Sequence, residues 1–157
     1  MIFVTVGTQL PFERLVRGVD QWASNNNEEV RAQIGKSEYI PKKLTWKDFI
    51  EPKKYEQEFF KASLIIAHAG TGVIMKALQQ EKPIIVMPRQ EKYQEHRNDH
   101  QVATVMRFQD TPGVYVAWDV EKLNYWLERK EELKGGYKIE PYASGLLIET
   151  LREFINT

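Results

Sequence analysis

The sequence contains no cysteine. Disulfides, thiolate nucleophiles and cysteine-ligated zinc are thereby excluded together, and a reducing compartment is the natural setting. Charge of one sign is also lacking: 22 basic residues balance 22 acidic ones, mixed along the chain. No broad field is available to gather nucleic acid or anionic lipid, so an anion has to be held locally. No apolar run approaches the roughly 20 residues that a membrane-spanning helix needs. The run from Met1 to Val6 has no basic segment ahead of it and leads into turn residues from Gly7 to Phe12, so it is expected to be a strand and not a secretory leader. A cytoplasmic protein is expected, with any membrane contact borrowed from a partner. Two phosphate-loop spacings are missing as well, G-x-G-x-x-G and G-x-x-x-x-G-K-[ST]. Their absence disfavours a dinucleotide cofactor and a nucleoside triphosphatase.

What is present is a chain of 157 residues, enough for one domain that buries about two-thirds of its unfolded surface. Ile2 to Val6, Leu64 to Ala67 and Ile84 to Met87 are apolar at nearly every position, the pattern of strands covered on both faces. Weaker strands are predicted at Val30 to Ile34, Lys43 to Trp46 and Val114 to Val116. From Phe12 to Ala23, the residues Phe12, Leu15, Val16, Val19 and Ala23 form one apolar stripe, with Glu13, Arg14, Arg17 and Asp20 largely off it. Further helices are predicted at Lys53 to Lys61, Thr71 to Gln80, Asn98 to Phe108, Val120 to Arg129 and Ser144 to Phe154. Strand and helix alternate throughout, which predicts a single doubly wound α/β domain over residues 1–157. Asn25 to Asn27 and Gly135–Gly136 are expected to be loop tips.

Three stretches carry chemistry. In the first, the strand ending at His68 runs into Ala69, Gly70, Thr71 and Gly72 and then a helix. Unpaired N–H groups of the first helical turn then face outward beyond the sheet, where α/β folds bind phosphate. Gly70 and Gly72 admit a ligand to the backbone, and Thr71 can cap the helix or donate a hydroxyl. An unliganded tight turn is the plain alternative. His68 has the chemistry to bond a phosphate or sugar hydroxyl, or to be a satisfied structural histidine. In the second stretch, the strand ending at Pro88 opens into Arg89, Tyr93, Glu95, His96, Asn98, Asp99, His100 and Gln101. This inventory can read sugar hydroxyls while neutralising a diphosphate. His96 and His100 would share a face on one helix, but nothing else around them matches a zinc motif, so no metal is expected. In the third, Val4 to Phe12 forms a strand, a turn at Gly7 and Thr8, and a helix start. A parallel topology brings it to the same sheet edge.

Taken in order, Val6–Thr8, His68–Gly72 and the Pro88–Gln101 loop resemble the C-terminal-half module of glycosyltransferase family 28. The likeness extends to the small PssE-like subunits of bacterial exopolysaccharide and capsule synthesis, themselves similar to the catalytic subunit of the eukaryotic dolichol-linked N-acetylglucosamine transferase. The resemblance implies one GT-B half-domain, a Rossmann-like parallel sheet whose edge holds a UDP-sugar as substrate, with no cofactor. It also implies a membrane-associated, PssD-like partner that binds a lipid-linked saccharide acceptor and recruits this chain to the cytoplasmic face of the membrane. Carried over by residue, Gly70, Thr71 and Gly72 match the phosphate-facing turn, and Gly7 and Thr8 the N-terminal glycine loop. Asp99 and Gln101 match the sugar-contacting acid–amide pair, and Phe49 and Ile50 the segment over which uracil lies. One position departs: family members carry a ribose-binding glutamate where this sequence has Lys76.

The expected reaction is inverting transfer of a hexose or hexuronic acid from UDP to a polyprenyl-diphosphate-linked saccharide. Donors at Gly70 to Gly72, with Arg89, would stabilise the charge growing on departing UDP. The base is unassigned, with His68, Glu95 and His96 as candidates. A non-catalytic enhancer or nucleotide-sugar sensor with the same site is the alternative. Leu147, Leu151 and Phe154, and the cluster Trp118, Tyr125 and Trp126, are expected to serve as core or as partner surface.

Overall fold

A strand that is apolar on both faces needs cover on both, and the chain supplies it with helices. The computed structural model describes residues 1–136. Strands β1 (Ile2–Thr5), β2 (Val30–Gln33), β3 (Thr45–Lys47), β4 (Leu64–His68), β5 (Ile84–Met87) and β6 (Val114–Val116) form one sheet in the order β3-β2-β1-β4-β5-β6. Every pairing is parallel, and Ile2 lies opposite both Val30 and Leu64. Helices α1 (Glu13–Ala23), α2 (Pro52–Lys61), α3 (Thr71–Gln79), α4 (His100–Phe108) and α5 (Val120–Glu128) fill the crossovers.

Alternation along the strands divides the core in two. Ile2, Val4, Ile66 and Ile85 pack with Leu15, Val16, Val19, Leu123 and Leu127 of α1 and α5. Phe3, Ile65, Ile84 and Val86 pack on the other face with Phe59, Ile74, Leu78, Val105 and Phe108 of α2, α3 and α4. The chain leaves β1 toward β2 and β3, then returns to β4 on the other side of β1. Strand order therefore reverses between β1 and β4, and their carboxyl ends open the crevice where such sheets bind ligands.

The sequence placed the elements within a few residues, and the deviations have local causes. Strand β3 starts at Thr45, not Lys43, because the N–H groups of Lys42 and Lys43 donate to the Asp20 carboxylate and are lost to the ladder. Asp20 itself, assigned to the polar side of α1, is 4% exposed and also accepts from the Tyr39 hydroxyl at 2.5 Å. Helix α4 starts at His100, not Asn98, because the Asn98 side chain accepts from the His100 N–H at 2.9 Å and holds a turn there. His96 precedes the helix, as it also does in the range predicted from Asn98, so His96 and His100 do not share a helical face.

Gly135 and Gly136 are not a loop tip. They press against the main chain of Glu81 and Pro112, where a side chain would collide with carbonyl oxygens. Trp126 packs against the core and donates its indole N–H to Val116 O at 2.8 Å, whereas Trp118 and Tyr125 stay partly exposed. The helix expected at Ser144 to Phe154, with Leu147, Leu151 and Phe154, lies outside the described residues. Among the described residues, no helix is long and apolar enough to cross a membrane.

Candidate functional site

Because β1 and β4 are paired neighbours, the turns that follow them leave the sheet side by side. The His68 imidazole stands between them. A Cβ on Gly70 would lie 2.5 Å from His68 Nε2, and one on Gly7 3.3 Å from Cε1. Gly7 also has φ +81°, a backbone region that favours glycine. Both glycines are therefore needed by the protein's own imidazole, whatever else they admit. His68 Nδ1 lies 3.4 Å from Thr5 O. Burial pushes its pKa down to about 4, nearby Arg89 lowers it too, and the Thr5 carbonyl opposes them, so the ring is neutral at pH 7.

Gly70 occupies the N-cap of α3, with no side-chain capping bond from Thr71 or any other residue. The first intrahelical bond runs from Ile74 N–H to Gly70 O at 3.1 Å. The N–H groups of Thr71, Gly72 and Val73 precede it and find no carbonyl within the helix. Gly72 is exposed, and no atom lies within 4 Å of a Cβ built there. An anion can approach this turn unhindered.

Two cavities flank the Gly7–Thr8 loop and share both residues. The first, about 260 Å³, is lined mainly by apolar groups and includes Phe49, Ile50, Pro52, Tyr55 and Glu56. Gln33 shapes it: its amide donates to Gly7 O at 3.2 Å and accepts from Ile50 N–H at 2.8 Å, which fixes the glycine loop relative to Ile50. Lys76, at the departing position of α3, forms an ion pair with Glu56 at the rim of this cavity.

The second cavity, about 270 Å³, is mostly polar and is lined by Gln9, Leu10, His68, Arg89, His96 and Gln101 among others. Arg89 is 4% exposed and donates through Nη2 to Val6 O and Leu10 O, both at 2.7 Å, so it supports the glycine loop from below. Burial lowers its pKa to about 10, partly offset by Glu95, and the guanidinium remains charged at neutral pH. Its Nε and the Nδ1 of His96 are buried without hydrogen-bond partners. Gln101 Oε1 accepts from both Ala69 N–H (3.2 Å) and Arg89 N–H (3.0 Å), tying together the ends of β4 and β5.

The structure thus brings Gly7, Thr8, His68, Arg89, His96 and Gln101 to the polar cavity, with Phe49 and Ile50 around the apolar one, and sets the turn of Gly70, Thr71 and Gly72 beside them through His68, though that turn lines neither cavity. Glu95 and Asp99 are committed elsewhere. Glu95 makes two 2.9 Å bonds to Arg14 and accepts from Gln90 N–H, while Asp99 accepts from Glu91 N–H and lines neither cavity. Among the described residues, no group of three histidine or acidic side chains is placed to hold a metal. Sequence reasoning missed Gln33, Tyr55, Glu56 and Arg14. Each enters the site through tertiary pairing, and local spacing carries no sign of it.

Comparison with known proteins agrees with this fold. The solution NMR structure of ALG13 superposes with a TM-score of 0.62 at 21% identity, covering 96% of this chain and 93% of that one. MurG of Acinetobacter baumannii superposes at 0.60 with 18% identity, and the glycotransferase of kitacinnamycin at 0.60 with 13%. Each of those two covers 82% of this chain, which in turn spans 40% of MurG and 34% of the glycotransferase. These likenesses establish the fold. Residues 1–124 match the family model described as the glycosyltransferase family 28 C-terminal domain. With that match over most of its length, the chain belongs to the glycosyltransferase family 28 C-terminal domain family.

Proposed function

We propose that the chain is the donor-binding subunit of a two-protein inverting glycosyltransferase that moves a hexose or hexuronic acid from a UDP-sugar to a polyprenyl-diphosphate-linked saccharide, in exopolysaccharide or capsule synthesis. The observation that carries this reading is the single rim on which an apolar cavity, an open helix N-terminus and a polar cavity meet around Gly7 and Thr8. A pyrimidine fits the apolar side at Phe49 and Ile50. The diphosphate meets the free N–H groups of Thr71 and Gly72, and the sugar extends toward Arg89, His96 and Gln101.

As the bond to the anomeric carbon breaks, negative charge grows on UDP. Fixed N–H donors at the start of α3 and the buried Arg89 cation stabilise that charge more than the ground state. Removal of the acceptor proton is not well served by this chain: burial makes His68 a weak base, Glu95 is bound to Arg14, and the unpaired Nδ1 of His96 is itself buried. The reading therefore assigns the base, and the acceptor itself, to a membrane-associated partner that covers the rim and excludes water.

Gly72→Asp tests the phosphate site cleanly. The new side chain enters open space, and a carboxylate in the first turn of a helix stabilises it. The unliganded variant is expected to melt no lower than the parent. Saturating UDP should stabilise the parent, by about 2.7 kcal/mol at a hundredfold excess over Kd, and leave the variant's melting temperature unmoved. Equal stabilisation of both by UDP would refute the assignment.

A further inference from the structure

Besides the Thr8 hydroxyl, which it shares with the polar cavity, the lining of the apolar cavity contains one charged group whose presence the packing does not explain. Gln33 has both ends of its amide engaged, on Gly7 O and Ile50 N–H, and the Tyr55 hydroxyl is turned to Thr5 at 3.3 Å. Phe49, Ile50 and Pro52 offer no side-chain polar atom. That leaves Glu56 of α2 as the charged side chain on the wall. Its Oε1 is held by Lys76 of α3, and Oε2 has no hydrogen-bond partner among the described residues. Lys76 is itself restrained: its ammonium lies 5.7 Å from the Tyr55 ring centroid and 5.4 Å from that of Phe59. An exposed ion pair of this kind adds little to stability. It does fix the direction of a carboxylate that would otherwise sample many rotamers.

A carboxylate accepts two hydrogen bonds in parallel, so its natural complement is a pair of neighbouring hydroxyls or a forked cation. A furanose attached to a base stacked in this cavity presents such a pair. We propose that Glu56 is the specificity-determining residue for the 2′,3′-diol of the nucleotide ribose, and that Lys76 is the positioning residue that aims it. The proposal rests on the nucleotide-sugar reading above and adds to it a reason for choosing ribonucleotide over deoxyribonucleotide. The two residues act across a gap between helices, so the recognition unit is a pair contributed by α2 and α3 jointly.

Calorimetric titration of the full chain with UDP and with 2′-deoxy-UDP decides the matter. The parent is expected to bind UDP roughly tenfold more tightly, the scale of one charge-assisted hydrogen bond at a partly wet site. Glu56→Ala should reduce that preference to less than about twofold while leaving the affinity for 2′-deoxy-UDP nearly unchanged. Lys76→Met should lower the preference severalfold, and Lys76→Arg should recover most of it. A Glu56→Ala variant that keeps the parent's preference overturns the proposal, as does a parent that binds both nucleotides equally. Equal loss of both nucleotides in Lys76→Met marks a merely structural role and overturns the positioning assignment. Failure of the parent to bind either nucleotide overturns the nucleotide reading itself, a result distinct from the others.

Discussion

His68 ends β4 in contact with both glycine turns, and its protonation is coupled to folding. In the unfolded chain it titrates near its ordinary value of 6.5, but in the folded chain only near 4, because burial and the neighbouring Arg89 disfavour the charged ring. Between these pH values the unfolded state binds more protons, so stability falls as pH falls. The contribution is full above about pH 6.5 and lost by about pH 4, and it amounts to about 3 kcal/mol. A His68→Asn variant should lose this component. Urea midpoints measured from pH 7 to pH 4.5 are expected to decline more steeply in the parent than in the variant, and parallel declines would contradict the enclosed imidazole. The sequence disclosed that a histidine ended this strand. It did not disclose that the ring fills the space made by two glycines 63 positions apart, since that needs the β1–β4 pairing.

Elements were legible where periodicity is strong, and less so where side chains compete with the backbone. The fully apolar runs became β1, β4 and β5, and the stripe from Phe12 became α1. By contrast, the starts of β3 and α4 were displaced by Asp20 and Asn98, polar side chains that capture N–H groups from outside the regular pattern. Gln101 is another such residue. From the first turn of α4 its carbonyl satisfies the buried Arg89 N–H and shares the Ala69 N–H with Met87 O, and so holds the polar loop against the glycine turn. Gln101→Leu would leave the buried Arg89 N–H unpaired, at about 1–3 kcal/mol. Thermal unfolding is expected to shift down by about 3–10 °C. Gln101→Glu keeps the acceptor and should melt well above the leucine variant, and a leucine variant as stable as the parent would show that these bonds carry no weight.

At the scale of the molecule, the described candidate groups other than Glu95 and Asp99 gather at one edge of a sheet, and that edge is open. Leu10 on the wall of the polar cavity, and Tyr93 and Trp118 beside Arg14, are 40%, 50% and 37% exposed. Tyr93 and Trp118 form an apolar border at Arg14, whose guanidinium lies 4.7 Å from the Tyr93 ring centroid and joins Glu95, Pro88 O and Trp118 O. Such a border, next to a site that must be dried for group transfer, suits a protein surface that closes over it. Balanced charge gives the chain no net field with which to adhere to an anionic bilayer. On the proposed reading, the chain alone binds UDP-sugar but transfers nothing, because neither an acceptor hydroxyl nor a base is aligned with the anomeric carbon. Radiolabelled sugar should reach a lipid-linked acceptor only when an acceptor-binding, PssD-like subunit is present. Gly72→Asp should abolish that transfer without dissolving the complex, since the substitution lies at the phosphate turn. Transfer by the isolated chain at the rate of the complex would place the base and the acceptor site within these 157 residues and overturn the division of labour.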